Sequence, residues 1–417
     1  MTMVTETISS CSRPRLVFLL VFLCATFIPV EHCLAQGKGG EDMEQFEGTC
    51  PYTKGERELE QKLGYERFGF ITWRKGEDST TIQETMGAIP MLWVETPHFR
   101  IGSSLGTFKL DNDREQRTRL KGEFSRLKGK LGKLRAPKKS LDPYLRLHLY
   151  AQRAEELYAQ FMEDFQIDPE GLPANAPHLG HRNKFLLLLC QRKSEYGRYL
   201  KSYEQIEAPF SYRTGWHSDG MIVALSQESV SEPFEDKDLP FDVMLHCLLA
   251  NTLASSFVDG FEQNLFKAPP WVTYGLAHVY SKRVDPHWTY FDARRESQIN
   301  YADAWNWEPR VRNLVQNEFF TTTEKMLGWT TYADLGARDH MIAWSKMQYL
   351  VEVAEGDRQK FLSLACRPLS STELGDSEPN KEPALRQRRA LQEAFGLTPE
   401  ELDEAWGSWV SKTYKKR

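Results

Sequence analysis

His246-Cys247-Leu248-Leu249-Ala250 and, 28 residues beyond His246, Tyr274-Gly275-Leu276-Ala277-His278 hold the side chains whose spacing best suggests chemistry. In the H-E-x-x-H arrangement, two His at i and i+4 share one helix face and bind zinc, while the intervening Glu activates the metal-bound water. Here His246 takes the first ligand position, Cys247 the base position and Ala250 the second ligand position. A lone imidazole does not hold zinc against bulk ligands, and Ala250 has no donor atom. Cys247 is one helical step from His246, about 100° around the axis, so the two are badly placed as a nucleophilic Cys–His pair. A rebuilt metal site would need His246 and His278 to converge, with Asp242 or Glu262 completing it. The competing reading makes His246 a hydrogen-bonded cleft or core residue, with small Cys247 and Ala250 filling space among Leu245, Leu248, Leu249 and Leu253. The apolar surroundings favour the second.

These residues need elements to position them. Thr96-Pro-His-Phe-Arg-Ile-Gly102 has strand character, as do the apolar runs ending in Cys190 and Ser226. Leu147, Tyr150, Ala154, Leu157, Phe161 and Phe165 recur at three- and four-residue spacing, which predicts an amphipathic helix. Arg114 to Lys139 is strongly basic and interrupted by Gly122, Gly129 and Gly132, so a solvated loop or poorly formed helix is expected over a polyanion-binding arm. Ser194 to Tyr203 reads as a helix, and beyond Pro240 the chain is mostly helical. Gly396 stops one helix, and Thr398-Pro-Glu-Glu401 caps the next. Ser370 to Pro383 reads as a surface loop. Trp288, Trp305, Trp307, Trp329 and Trp344 are expected mainly in the core, not as an exposed binding platform.

Residues 1–35 read as a signal peptide, with Arg13 and Arg15 ahead of an apolar run and Cys33-Leu-Ala35 as the cleavage site. This implies export to the cell envelope, periplasm or medium, with no stable membrane span after cleavage. Residues 36–95 read as a leader and N-terminal extension. A net charge of −5 gives no global reason to expect nucleic-acid binding. The mature cysteines Cys50, Cys190, Cys247 and Cys366 allow either bridges or buried thiols.

Taken in order, these segments resemble the gluzincin peptidases, specifically an exported family with a peptidase-MA-like domain. Thr96-Pro-His-Phe-Arg-Ile resembles its opening strand, Phe185-Leu-Leu-Leu-Leu its central strand, and Met221-Ile-Val-Ala-Leu its edge strand. Ala268-Pro-Pro-Trp-Val-Thr-Tyr-Gly-Leu-Ala-His-Val-Tyr280 resembles its second active-site helix, and Ala394 to Trp406 its closing helix. The resemblance implies an α+β, zincin-like domain over residues 96–417. Its mixed α/β part would span 96–230, and a mainly helical subdomain 231–417. It places Tyr274 where the family has its third ligand Glu, and His278 where another acidic residue usually stands. One ligand of three survives. The expectation is therefore an exported pseudo-peptidase without a cofactor, retaining a cleft for peptide or protein. Zinc belongs only to the alternative, an active hydrolase rebuilt on His246 and His278. A structural or assembly role in the cell envelope is the third class.

Overall fold

The computed structural model describes residues 49–110, 114–132, 134–208, 211–216, 220–231, 241–263, 268–289, 306–375, 377–378 and 381–415. The expected signal peptide, the Gly-rich stretch 36–44 and Trp305 lie outside the described residues.

The chain is a mixed α+β fold organised on a six-stranded sheet. In spatial order the strands are Arg67–Phe68, Leu92–Glu95, Phe99–Ser103, Phe185–Cys190, Gly220–Ser226 and Ser211–Trp216. Phe185–Cys190 runs parallel to both neighbours, and the remaining pairings are antiparallel. All six of its residues are buried, as a strand covered on both faces requires. Leu187, Val223 and Ile101 point into the large core, while Leu186, Leu188, Ile222 and Trp93 point into a smaller core with Tyr196 and Tyr199. That alternation follows from the two-residue period of the pleat. Gly102 lies opposite Trp93, and a Cβ there would stand 2.4 Å from the indole.

Two expectations are corrected here. The boundary drawn at residue 96 passes through a strand pair, Leu92 opposite Ser103, so the described part of the extension supplies two strands of the central sheet. Met221 to Leu225 is an inner strand, and Ser211–Trp216 forms the edge. The uninterrupted apolar run of Met221 to Leu225 fits the inner place, and Ser211, Arg213 and Thr214 fit the edge.

The basic segment is also more ordered than expected. Arg114–Leu131 is an 18-residue helix that buries Leu120, Phe124, Leu127 and Leu131. Their spacing forms one apolar stripe, which outweighs the cost of Gly122 and Gly129. The amphipathic helix spans Pro143–Asp164, capped by Asp142. It packs against the helix Phe241–Gly260, which carries His246. That helix in turn packs against Pro270–Val284, which carries Tyr274 and His278, and Pro270–Val284 against Ala337–Glu352. Gly275 is what allows the last approach, since a Cβ there would meet Ala343 O and Met347 Cγ, each at 2.6 Å. Between Ser370 and Pro383 the described residues include the short helix Ser371–Leu374, and the helix Glu382–Phe395 follows. Trp307, Trp329 and Trp344 are buried, and Trp288 is half-buried. No helix among the described residues is long and apolar enough to cross a membrane.

Candidate functional site: a cleft over His246

Four helices enclose a cleft of about 480 Å³. The basic helix contributes Arg119, Glu123 and Arg126, and the long helix Arg153 and Glu156. Asp242, His246 and Ala250 come from the His246 helix, while Tyr280 and Arg283 come from the Tyr274 helix. Of the family-type positions, His246 and Ala250 are the ones that reach this cleft.

His246 keeps 19% of its side chain exposed, and its Nδ1 lies 3.8 Å from Glu123 Oε1, too far for a hydrogen bond. Burial, followed by the positive charge of Arg153, pushes its pKa well below the ordinary imidazole value. The imidazole is therefore neutral at pH 7 and presents a donor and an acceptor to the cleft.

Beneath it lies an ion-pair network that sequence inspection missed. Arg153 Nε and Nη2 donate to Glu123 Oε1 and Oε2, each at 2.9 Å, and Nη2 also reaches Asp242 Oδ2 at 3.1 Å. Tyr150 OH donates to Asp242 Oδ1 at 3.1 Å. Both carboxylates are thus committed to Arg153. A detectable signal existed: Arg146 and Arg153 stand seven residues apart, two helical turns, and both are buried on an otherwise apolar face. A buried guanidinium requires acceptors: Arg153 takes two carboxylates, while Arg146 donates to Gly106 O and to the carboxamides of Gln191 and Gln227.

The other expected site residues are elsewhere. Cys247 faces the seam with the Tyr274 helix, where burial and the charge of Asp285 push its thiol pKa up. A thiol held protonated is not a nucleophile. Tyr274 packs edge-on against Tyr332 and lies beside Arg213, which donates to Asp259 and to Ser255 O. Tyr274 is therefore level with Ser255 and Asp259. His246 is level with Tyr280 to Val284, because the two helices run antiparallel. His278 is buried and bonded through Nδ1 to Thr289 Oγ1 at 2.6 Å and through Nε2 to His340 Nδ1 at 3.0 Å. It does not line the cleft. Glu262 is exposed beyond the far end of the His246 helix and accepts from Ser363 Oγ. His246 shares the cleft with Asp242 alone among its expected metal partners.

Among the described residues, one group of three metal-ligating side chains comes together: Glu115, Asp285 and His287, within 4.8 Å of one another. It already faces a cation, since Arg119 donates to Asp285 and lies 3.9 Å from Glu115 Oε1. The cysteines Cys50, Cys190, Cys247 and Cys366 are all buried free thiols.

Comparison with family models, characterised proteins and solved structures returns no match to this chain.

Proposed function

We propose that the chain is an exported, catalytically inactive relative of the gluzincin peptidases that uses the cleft over His246 to bind peptide or protein segments without cofactor. The supporting observation is the company His246 keeps. Ala250 stands beside it with no donor atom, and Asp242 is consumed by Arg153 and Tyr150. Tyr274 sits two turns away in the helix pair, next to Arg213. Water activation on a zinc ion needs three ligands around one point and a base beside it. The cleft offers a neutral imidazole, paired arginines and an apolar wall of Leu120, Leu157 and Leu249. Such a surface suits hydrogen bonding to a backbone and packing of a side chain.

The test joins metal analysis of the mature protein with binding and hydrolysis of a random peptide library. Peptides should bind and be recovered intact. Gln160→Trp, which obstructs the cleft from an exposed position, should weaken binding at least about tenfold. Stoichiometric zinc together with chelator-sensitive hydrolysis would overturn the proposal.

A further inference from the structure

A second cavity lies away from the His246 cleft. Arg310 and Arg312 on the helix Trp307–Gln316, and Arg338 in the first turn of Ala337–Glu352, line a groove of about 580 Å³. Asn313 and Gln316 add carboxamides, and no Asp or Glu is among the lining residues. Several other arginines of the fold are paired. Arg74, Arg153, Arg213, Arg283 and Arg389 each hold a carboxylate within ion-pair distance. Arg310 and Arg338 make no ion pair or hydrogen bond among the described residues.

The carboxylates nearest in sequence do not pair with Arg310 or Arg338 among the described residues. Asp339 accepts from Thr321 Oγ1 and from the Gly336 backbone N–H. Glu308 is exposed and makes no ion pair with Arg310 or Arg338 among the described residues. Arg312 is anchored: its Nη1 donates to Ser411 O at 2.6 Å and to Tyr414 O, while its buried Nε has no partner. One guanidinium is thus fixed by the chain and two are open.

Exposed arginines are usually just hydrated. Three that line one concavity without a counter-charge among the described residues form a different surface. Planar guanidinium forks match two oxygens at once, which lysine does not do. Leu314 and Met341 supply apolar wall, and the volume exceeds what a bare ion fills while fitting the range for small ligands, about 300–1,000 Å³.

We propose that this groove binds a tetrahedral oxyanion, a phosphate or sulfate group, with Arg310 and Arg338 as its forks and Arg312 as the fixed charge behind them. A free ion and an organic ester both present that group, and the same experiment separates them. Titration calorimetry on the full mature chain at low salt would use inorganic phosphate, inorganic sulfate, glucose 6-phosphate, glucose 6-sulfate and glucose.

Oxyanion binding with glucose inert is the expected result, and it should weaken as salt rises. An ester binding at least about tenfold tighter than the free ion assigns the ester as source, and equal affinities assign the ion. Arg310→Gln and Arg338→Gln should each weaken binding about tenfold to a hundredfold. Arg310→Lys and Arg338→Lys should restore only part, because the fork is lost. If Arg310→Gln does not fold, Arg338→Glu decides alone, since Arg338 is exposed and holds nothing inside the fold. No oxyanion binding at millimolar concentration, or binding unchanged in a folded Arg338→Glu protein, overturns the proposal.

Discussion

His278 Nε2 and His340 Nδ1 are 3.0 Å apart, joining two helices whose imidazoles stand 62 residues apart in sequence. With Thr289 on its other nitrogen, His278 is fully engaged in the packed interior beside Trp307. It serves the helix pair and not the cleft. His278→Ala should therefore leave metal content and peptide binding as in the parent. It should lower stability by about 1–3 kcal/mol, because Thr289 and His340 lose a buried partner. Denaturant midpoints and elemental analysis on the same preparations check both halves.

Gly275 gives the sharpest packing test. A methyl group would enter space held by Ala343 O and Met347 Cγ, and backbone does not yield like a flexible side chain. Gly275→Ala should destabilise by about 1–3 kcal/mol despite the better helix propensity of Ala. Equal or greater stability in a urea titration would show that the helices separate freely.

The Arg153–Glu123–Asp242 network should be costly to break from one side. Arg153→Met leaves two buried carboxylates facing each other without a cation, an expected loss of about 3–5 kcal/mol. Replacing all three with apolar residues of similar size should cost less than the single change. Burial alone raises the pKa of Asp242, but Arg153 and Arg146 more than offset it and hold it below the ordinary value. The contribution of Asp242 to stability is thus complete above pH 4 and lost as pH falls through the lower folded value. In Arg153→Met that acid-side loss should begin at higher pH, visible as an acid-denaturation midpoint shifted upward.

His148 sets a second pH dependence. Burial lowers its pKa to about 3, and its neutral ring joins Cys50 Sγ at 3.2 Å and Tyr65 OH at 2.7 Å. The unfolded chain takes up this proton near pH 6.5, while the folded chain resists until about pH 3. Stability is therefore full above pH 6.5 and falls across that window, by at most about 1.4 kcal/mol per pH unit from this residue. His178 and His340, each lowered to about 4 mainly by burial, add to the same slope. His148→Gln should flatten the dependence between pH 6 and 4 in denaturant titrations, even where it lowers stability overall.

Local patterns were legible wherever the physics is local. The cap at Thr398 forms as its spacing demands, with Glu401 N donating to Thr398 Oγ1 at 3.2 Å and Thr398 N to Glu401 Oε2 at 2.8 Å. Gly396 ends the preceding helix at φ 69°, a left-handed position that suits glycine. The apolar run ending in Cys190 is the buried central strand. The basic helix was obscured because its charges and glycines dominate composition, while Leu120, Phe124, Leu127 and Leu131 stabilise it through a core that composition does not reveal.

The sequence by itself put Cys247 and Ala250 at the positions where the proposed gluzincin relationship would need a base and a ligand. Which side chains meet was decided by the tertiary structure alone. The antiparallel register of two helices sets Tyr274 beside Arg213 and leaves His246 with Asp242, Glu123 and Arg153. In the same way, Arg310 and Arg338, 28 residues apart in the chain, line one groove. Such encounters depend on how apolar stripes pack across long separations, and no local spacing records them.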